Sequence, residues 1–175
     1  MSKELRKLKR FRFQLLHKWV TENYEPCKVA DIGGGKGLLT YLLRQSGYDT
    51  VVIDPYDQPL PNIYKDLDGN RHKIKPEEKI PRINKGFEKT MAKDFDLLIG
   101  MHAHGSNRSI IDVTAEYHKD FILLPCCVID EPIIPQADIN WFESLEEYAI
   151  QKGHAIQRFE LNFKGQNVGI YTKKS

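Results

Sequence analysis

A glycine cluster between an apolar strand and an apolar helix is the feature that most constrains this fold. A strand is predicted over residues 28–32, and glycine fills four of the five positions 33–37. Leucines at helical spacing follow as far as Gly47. Glycines at such a turn let the backbone approach a ligand closely and direct free amide groups at it. A second apolar strand, at 50–54, ends in Asp54, so the pattern predicts a nucleotide-type binding corner.

Strands and helices alternate along the rest of the chain. Helices are predicted over 3–23, over 107–117 and from a cap at Asp138 to Gly153. Strands are predicted over 83–87, 95–101 and 121–124, and a hairpin over 155–163 and 168–172. The sequence therefore predicts an α/β fold, a Rossmann-like doubly wound sheet that is mostly parallel and carries a C-terminal antiparallel hairpin.

The length of 175 residues predicts a single domain over 1–175. Within it, residues 1–25 are expected to hold a basic amphipathic helix that docks on the core. Residues 55–81 are rich in proline and show little periodicity, which is typical of a long binding loop or a lid. The sequence does not specify an oligomeric state.

The composition indicates the cellular compartment in which the protein is expected. No apolar run approaches the ~18 residues that a membrane span requires, and the N-terminus lacks the apolar core of a secretory signal. The three cysteines, Cys27, Cys126 and Cys127, form no disulfide framework, so reduced thiols are expected. We therefore expect a cytoplasmic protein without a membrane partner.

Positive charge is concentrated near the N-terminus, although the net charge is only +2. A basic segment of this kind suits a polyanion such as RNA, and a solvated helix face is the alternative. The candidate substrate-binding residues are Arg6, Lys9, Arg10 and Arg12 in this segment and Arg71 and Lys73 in the long loop.

The glycine spacing excludes two common nucleotide sites. The dinucleotide fingerprint Gly-x-Gly-x-x-Gly, counted from Gly33, requires a third glycine where the chain has Leu38, and it fails in the other frames as well. A phosphate-binding P-loop requires Gly-Lys-Ser/Thr, and Gly37 follows Lys36 here.

The Asp-x-Gly-x-Gly-x-Gly form at 31–37 resembles the first motif of the class I S-adenosylmethionine-dependent methyltransferases, and the likeness runs on through Asp54 to the terminal hairpin. The resemblance implies S-adenosyl-L-methionine as cofactor and a carboxylate that accepts bonds from the ribose hydroxyls. The cofactor-binding residues that it implies are Asp31, Gly33, Gly35, Gly37, Asp54, Phe87, Glu88 and His102. A glycine turn that merely packs a helix on a strand is the alternative.

Histidines and cysteines follow the two central strands, at His102, His104, Cys126 and Cys127. These segments resemble the acceptor-stem tRNA ribose methyltransferases and their relatives, although His104 stands where that branch has cysteine. His102 or His104 is a candidate general base, and catalysis by proximity alone is a second possibility. No metal is expected, because the separated Cys-x-x-Cys pairs typical of a zinc site are missing. The alternative to a functional role for the cysteines is that they are small residues that fill the core.

These observations favour an enzyme, a methyltransferase that acts on RNA such as tRNA. Two alternatives stay open. One is a methyltransferase for a small molecule or a protein, and the other is a non-catalytic module that binds S-adenosylmethionine.

Overall fold

The computed structural model describes residues 6–126 and 140–173. The strands are β1 (Lys28–Ile32), β2 (Asp49–Ile53), β3 (Ile63–Lys65), β4 (Arg71–Lys73), β5 (Arg82–Ile83), β6 (Leu97–Met101), β7 (Asp120–Leu124), β8 (Gln157–Glu160) and β9 (Val168–Tyr171). The helices are α1 (Arg12–Asn23), α2 (Leu38–Gln45), α3 (Asn107–Tyr117) and α4 (Trp141–Gln151), with 3-10 turns at Lys9–Phe11 and Lys89–Asp94. Strands and helices alternate along this part of the chain, as the sequence predicts.

Seven of the described strands form one sheet in the order β5-β2-β1-β6-β7-β9-β8. The five strands from β5 to β7 are parallel, whereas β9 runs antiparallel to β7 and pairs with β8 as a hairpin. The predicted fold class is therefore confirmed. The sheet order reverses beside β1, which places the carboxyl ends of β1, β2 and β6 around one crevice.

Alternate side chains of the central strands build a core on each face of the sheet. On one face, Leu97 and Ile99 of β6 lie in a cluster with residues of α1 and α2. On the other face, Leu98 lies in a cluster with residues of α3 and α4. Burial of both faces explains why β6 is continuously apolar.

Helix α1 docks on the sheet through an apolar stripe. Leu16 and Val20 are fully buried, and the Trp19 ring stacks on Phe159 of the terminal hairpin with centroids 4.3 Å apart. The helix begins at Arg12 and not at residue 3 as predicted. The physical reason is that Lys7 pairs in parallel with Phe163, which satisfies its backbone groups at the sheet edge instead of in a helix.

The segment predicted as a loop over 55–81 contains the short hairpin β3–β4. Two hydrogen bonds attach it to the N-terminal part of the chain: Gln14 Nε2 donates to Lys65 O at 2.6 Å, and Lys7 Nζ donates to Leu67 O at 2.8 Å. These contacts are distant in sequence, which is why local periodicity did not reveal the hairpin.

Several other predicted boundaries differ, most clearly those of β5 and α4. β5 spans only two residues instead of 83–87, since its partner β2 ends at Ile53. The N-cap of α4 is Asn140, whose Oδ1 accepts a hydrogen bond from Glu143 N at 2.9 Å, whereas the predicted cap Asp138 lies outside the described residues. Among the described residues, no helix is long and apolar enough to cross a bilayer.

The docking of α1 can be tested by removing buried side-chain volume. We expect Leu16→Ala to lower the free energy of unfolding by about 2–5 kcal/mol, because it leaves a cavity in a fully buried site. Urea denaturation measures this change. Lys18→Ala, on the exposed side of the same helix, should change it by less than ~0.5 kcal/mol. Equal effects of the two substitutions would contradict the docking.

Candidate functional site

The β1–α2 turn brings the backbone unusually close to a buried carboxylate. A Cβ on Gly34 would lie 2.6 Å from Asp31 Oδ2, so only glycine fits there. Gly37, the N-cap of α2, has φ = 87°, and a Cβ there would lie 2.1 Å from Ile80 Cδ1. Gly33 and Gly35 also take positive φ values. The glycine cluster therefore allows a tight left-handed turn over Asp31.

Asp31 is buried beneath this turn and accepts a hydrogen bond from Thr40 Oγ1 at 2.9 Å. Burial raises the pKa of Asp31 to about 6, and the Thr40 hydrogen bond and the Arg82 charge partly offset that rise. The negative charge of Asp54 adds to it. A cation that entered the site would favour the ionised form of Asp31.

Asp54, at the end of β2, connects the glycine turn to the following loop. Its Oδ2 accepts from Gly35 N at 3.0 Å, and its Oδ1 accepts from Tyr56 N at 2.9 Å. A carboxylate has about four acceptor positions, so each oxygen keeps capacity for one further donor. Gln58 lies on the solvent side, with Nε2 3.9 Å from the point that a Gly35 Cβ would occupy.

A cleft of about 470 Å³ opens above the turn, within the range of about 300–1,000 Å³ that is usual for ligand sites. Its lining comes from Arg10, Arg12 and Phe13, from Asp31 and residues 33–38, from Gln58 and Pro61, and from Met101 and His102. The structure thus brings together the predicted residues Asp31, Gly33, Gly35, Gly37 and His102, while Asp54 lies directly behind Gly35.

The N-terminal segment carries positive charge to the mouth of this cleft. Arg10 is exposed, whereas Arg12 is half-buried, with its guanidinium 4.3 Å from the centroid of the Phe13 ring. Burial lowers the pKa of Arg12. The cleft therefore has a carboxylate at its base and two guanidinium groups at its rim, an arrangement suited to a ligand with charges of both signs.

His102 occupies the loop after β6 in a left-handed conformation, with φ = 53°. Its backbone N–H donates to Leu124 O at 2.9 Å, and its ring Nε2 lies 3.2 Å from Gln166 O. A carbonyl only accepts, so Nε2 carries the hydrogen and Nδ1 carries the lone pair. Burial, with the nearby charges of Lys9 and Arg12, lowers the pKa of His102 to about 4. The ring is therefore uncharged at neutral pH.

Other predicted site residues lie elsewhere. Phe87 packs against the core on the α3 face, and neither it nor the exposed Glu88 lines the cleft. His104 is exposed, with Nε2 3.5 Å from Cys126 Sγ, and Cys127 lies outside the described residues. Arg6, which is also outside the cleft, pairs with Glu160 at 2.8 Å.

The remaining basic candidates divide into two groups. Lys9 is exposed beside the cleft, close enough to His102 for its charge to act on the ring. Arg71 and Lys73 lie on exposed β4, and Arg71 lines a separate, adjacent cleft.

Sequence reasoning missed three contributors. Gln58 and Pro61 form one wall of the cleft. They follow shortly after a strand that ends at the crevice, and that position could have identified them from the sequence. Arg82 lies below the turn, where its Nη2 donates to Tyr56 O at 3.0 Å and its side chain is only 12% exposed. A charged residue at the start of a short edge strand was the signal for Arg82.

Solved structures of low sequence identity share this architecture. The PH0226 protein of Pyrococcus horikoshii aligns with 94% of this chain and 91% of its own, at 15% identity and a TM-score of 0.58. A SAM-dependent methyltransferase from Archaeoglobus fulgidus aligns with 93% of this chain and 94% of its own, at 13% identity and a TM-score of 0.54. The chain therefore shares the Rossmann-like fold of the class I S-adenosylmethionine-dependent methyltransferases.

One curated relative places the methyltransferase fold in a longer protein. The Caenorhabditis elegans protein named Probable tRNA (uracil-O(2)-)-methyltransferase is 32% identical over 136 residues, which cover 72% of this chain. The match spans 23% of the length of that relative. No family model matches the sequence.

Asp54 offers a direct test of the cleft. We expect Asp54→Ala to weaken S-adenosylhomocysteine binding tenfold or more, because a charge-assisted hydrogen bond is worth about 1.5–3 kcal/mol. Isothermal calorimetry measures the change. Asp49→Ala is the matched control, since Asp49 is an exposed aspartate at the opposite end of β2. An Asp54→Ala affinity equal to that of Asp49→Ala would remove Asp54 from the site.

The protonation state of His102 can be observed directly. We expect long-range nitrogen–proton NMR spectra to report the Nε2–H tautomer and a titration midpoint near pH 4. Because the folded-state pKa lies below the unfolded value of about 6.5, the His102 contribution to stability is lost as pH falls from about 6.5 to 4. A midpoint near 6.5 would contradict the buried, hydrogen-bonded ring.

Proposed function

We propose that the chain is a methyltransferase that uses S-adenosyl-L-methionine and acts on RNA, with tRNA as the favoured class. The observation that carries the proposal is the cleft over the glycine turn, which has the Asp31 carboxylate at its base and two arginines at its rim, while Asp54 is hydrogen-bonded to the turn itself. S-adenosylmethionine presents a ribose diol, a carboxylate and two cationic groups, so its charges match this arrangement. When bound, it would supply an electrophilic methyl group.

The residues around the cleft divide the binding task. Asp54 would accept bonds from the ribose hydroxyls at the acceptor positions that Gly35 and Tyr56 leave unused. Arg10 and Arg12 would hold the carboxylate, because a guanidinium fork matches a carboxylate. The buried carboxylate of Asp31 would favour the cationic end of the ligand.

Phe87 and Glu88, which the resemblance implies lie beside the adenine, do not line the cleft. Gln58 and Pro61 of the 55–81 loop line the cleft instead. We propose that this loop closes over the cofactor as a lid, which would exclude water from the reaction. The chain would thus act as one methyltransferase domain.

His102 would act on the acceptor through Nδ1. With a pKa of about 4, the ring is a weak base at neutral pH, so its main task would be to accept a hydrogen bond from the acceptor hydroxyl and orient it. Holding the nucleophile in line with the methyl carbon is by itself a large part of such catalysis. The exposed His104 would lie further from the donor, as a secondary candidate base.

Two observations support RNA as the acceptor. Basic residues of the N-terminal segment stand at the cleft mouth, where a phosphate backbone would approach. The Caenorhabditis elegans relative carries a tRNA (uracil-O(2)-)-methyltransferase name, and it matches most of this chain. A small molecule or a protein is the competing acceptor, and a cofactor-binding module without turnover is the competing non-enzyme.

The acceptor can be identified by incubating the protein with radiolabelled S-adenosylmethionine and total RNA, protein and metabolite fractions. We expect label in RNA. Label in protein or metabolites would overturn the RNA part alone. Binding of S-adenosylhomocysteine without label in any fraction would favour the non-catalytic module.

The basic segment provides a matched pair of variants. We expect Lys9→Glu to reduce RNA labelling about tenfold at low salt and much less at high salt, because phosphate contacts release counterions. Lys18→Glu changes the net charge equally but lies further along α1, and it should label RNA like the native chain. S-adenosylhomocysteine affinity, measured in parallel, should stay within twofold for both. Equal RNA labelling by the two variants would reduce the basic segment to a solvated face.

A further inference from the structure

A second cleft, of about 380 Å³, adjoins the candidate cofactor cleft. It lies between the N-terminal segment and the β3–β4 hairpin, and its flat walls come from Phe11, Tyr64 and Pro61. Arg10, Leu38 and Pro61 line both clefts, so the two spaces are contiguous.

The walls of this second cleft are held by specific contacts. The Gln14–Lys65 and Lys7–Leu67 hydrogen bonds attach the hairpin to the N-terminal segment. The Tyr64 ring stacks on His72, with centroids 5.0 Å apart and planes 16° from parallel. These contacts hold the hairpin against the N-terminal segment on one side of the cleft.

Positive charge rims the same cleft. Arg10, Lys65 and Arg71 line it from its two sides. Asp66 is an acidic side chain of the same hairpin, and its carboxylate is hydrogen-bonded within the hairpin. It bonds to His72 at 2.8 Å and accepts from the backbone amides of Asp68 and Asn70. The His72 hydrogen bond holds the pKa of Asp66 below its usual range. The cleft thus combines apolar, aromatic walls with a cationic edge.

We propose that this second cleft binds one unpaired nucleotide of the RNA, next to the nucleotide that enters the cofactor cleft. The proposal rests on the proposed function above. The base lies against the aromatic and prolyl walls, and the phosphate of the nucleotide contacts Arg71. Stacking of this kind tolerates any base but requires a single strand, because paired bases are already stacked. The chain therefore selects unpaired RNA for its shape and charge, without reading a sequence.

The test uses fluorescence anisotropy with a short single-stranded RNA of mixed sequence. We expect Arg71→Glu to weaken binding about tenfold, and Lys28→Glu to leave it unchanged. Lys28 is the matched control because it is exposed at the amino end of β1, whereas the candidate cofactor cleft lies at the carboxyl ends of the strands. The same RNA annealed to its complement should bind at least tenfold more weakly than the single strand.

Stacking is tested separately at Tyr64. Tyr64→Leu should weaken binding about tenfold, in line with the ~1–3 kcal/mol that one stacked base contributes, while Tyr64→Phe keeps the ring and should bind like the native chain. Thermal unfolding of each variant checks that the hairpin is intact. If Tyr64→Leu unfolds early, the Arg71→Glu and Lys28→Glu comparison still decides the question.

Three results would overturn the proposal that the second cleft binds a nucleotide. They are equal affinities of Arg71→Glu and Lys28→Glu, equal binding of single strand and duplex, and displacement of RNA by polyglutamate at the same charge concentration. Absence of any RNA binding by the native chain would overturn it as well. Calorimetry with S-adenosylhomocysteine distinguishes a failure of this proposal from a failure of the proposed function. Normal binding of S-adenosylhomocysteine together with a failed RNA test would remove the nucleotide cleft and leave the methyltransferase proposal standing.

Discussion

The close approach of the glycine turn to two carboxylates is the constraint on which the rest of the site depends. Asp31 fills the space where a side chain on Gly34 would stand, and Asp54 accepts the amide hydrogen of Gly35. Buried carboxylates require donors, and the turn, with Thr40, supplies them. The same geometry forms the base of the cleft and positions the start of α2, so the cleft and the packing of that helix share one set of contacts.

The N-terminal segment forms one side of the cleft at the carboxyl ends of the strands. Leu16, Val20 and Trp19 of α1 bury against the core and the terminal hairpin, and this docking places Arg10 and Arg12 over the cleft. Two of the basic residues that the sequence predicts to bind RNA therefore line the cleft.

Local patterns predicted most of the sheet and the glycine corner, because those contacts lie within a few residues or follow from strand alternation. The bounds of β1 and α3 agree with the predicted ranges. The start of α1 and the β3–β4 hairpin were missed because Lys7 and Gln14 are held by partners far away in sequence. Cleft walls such as Gln58 come from loops, where spacing carries little information.

The hydrogen bond from His102 to Gln166 gives the terminal hairpin a role beyond closing the sheet edge. Gln166 lies in the exposed connection between β8 and β9, yet its carbonyl selects which ring nitrogen of the half-buried His102 imidazole carries the hydrogen. The orientation of a lone pair inside the crevice thus depends on the conformation of a surface turn at the far end of the chain. A shortening of that turn would change the chemistry at His102 without replacing any residue that lines the cleft.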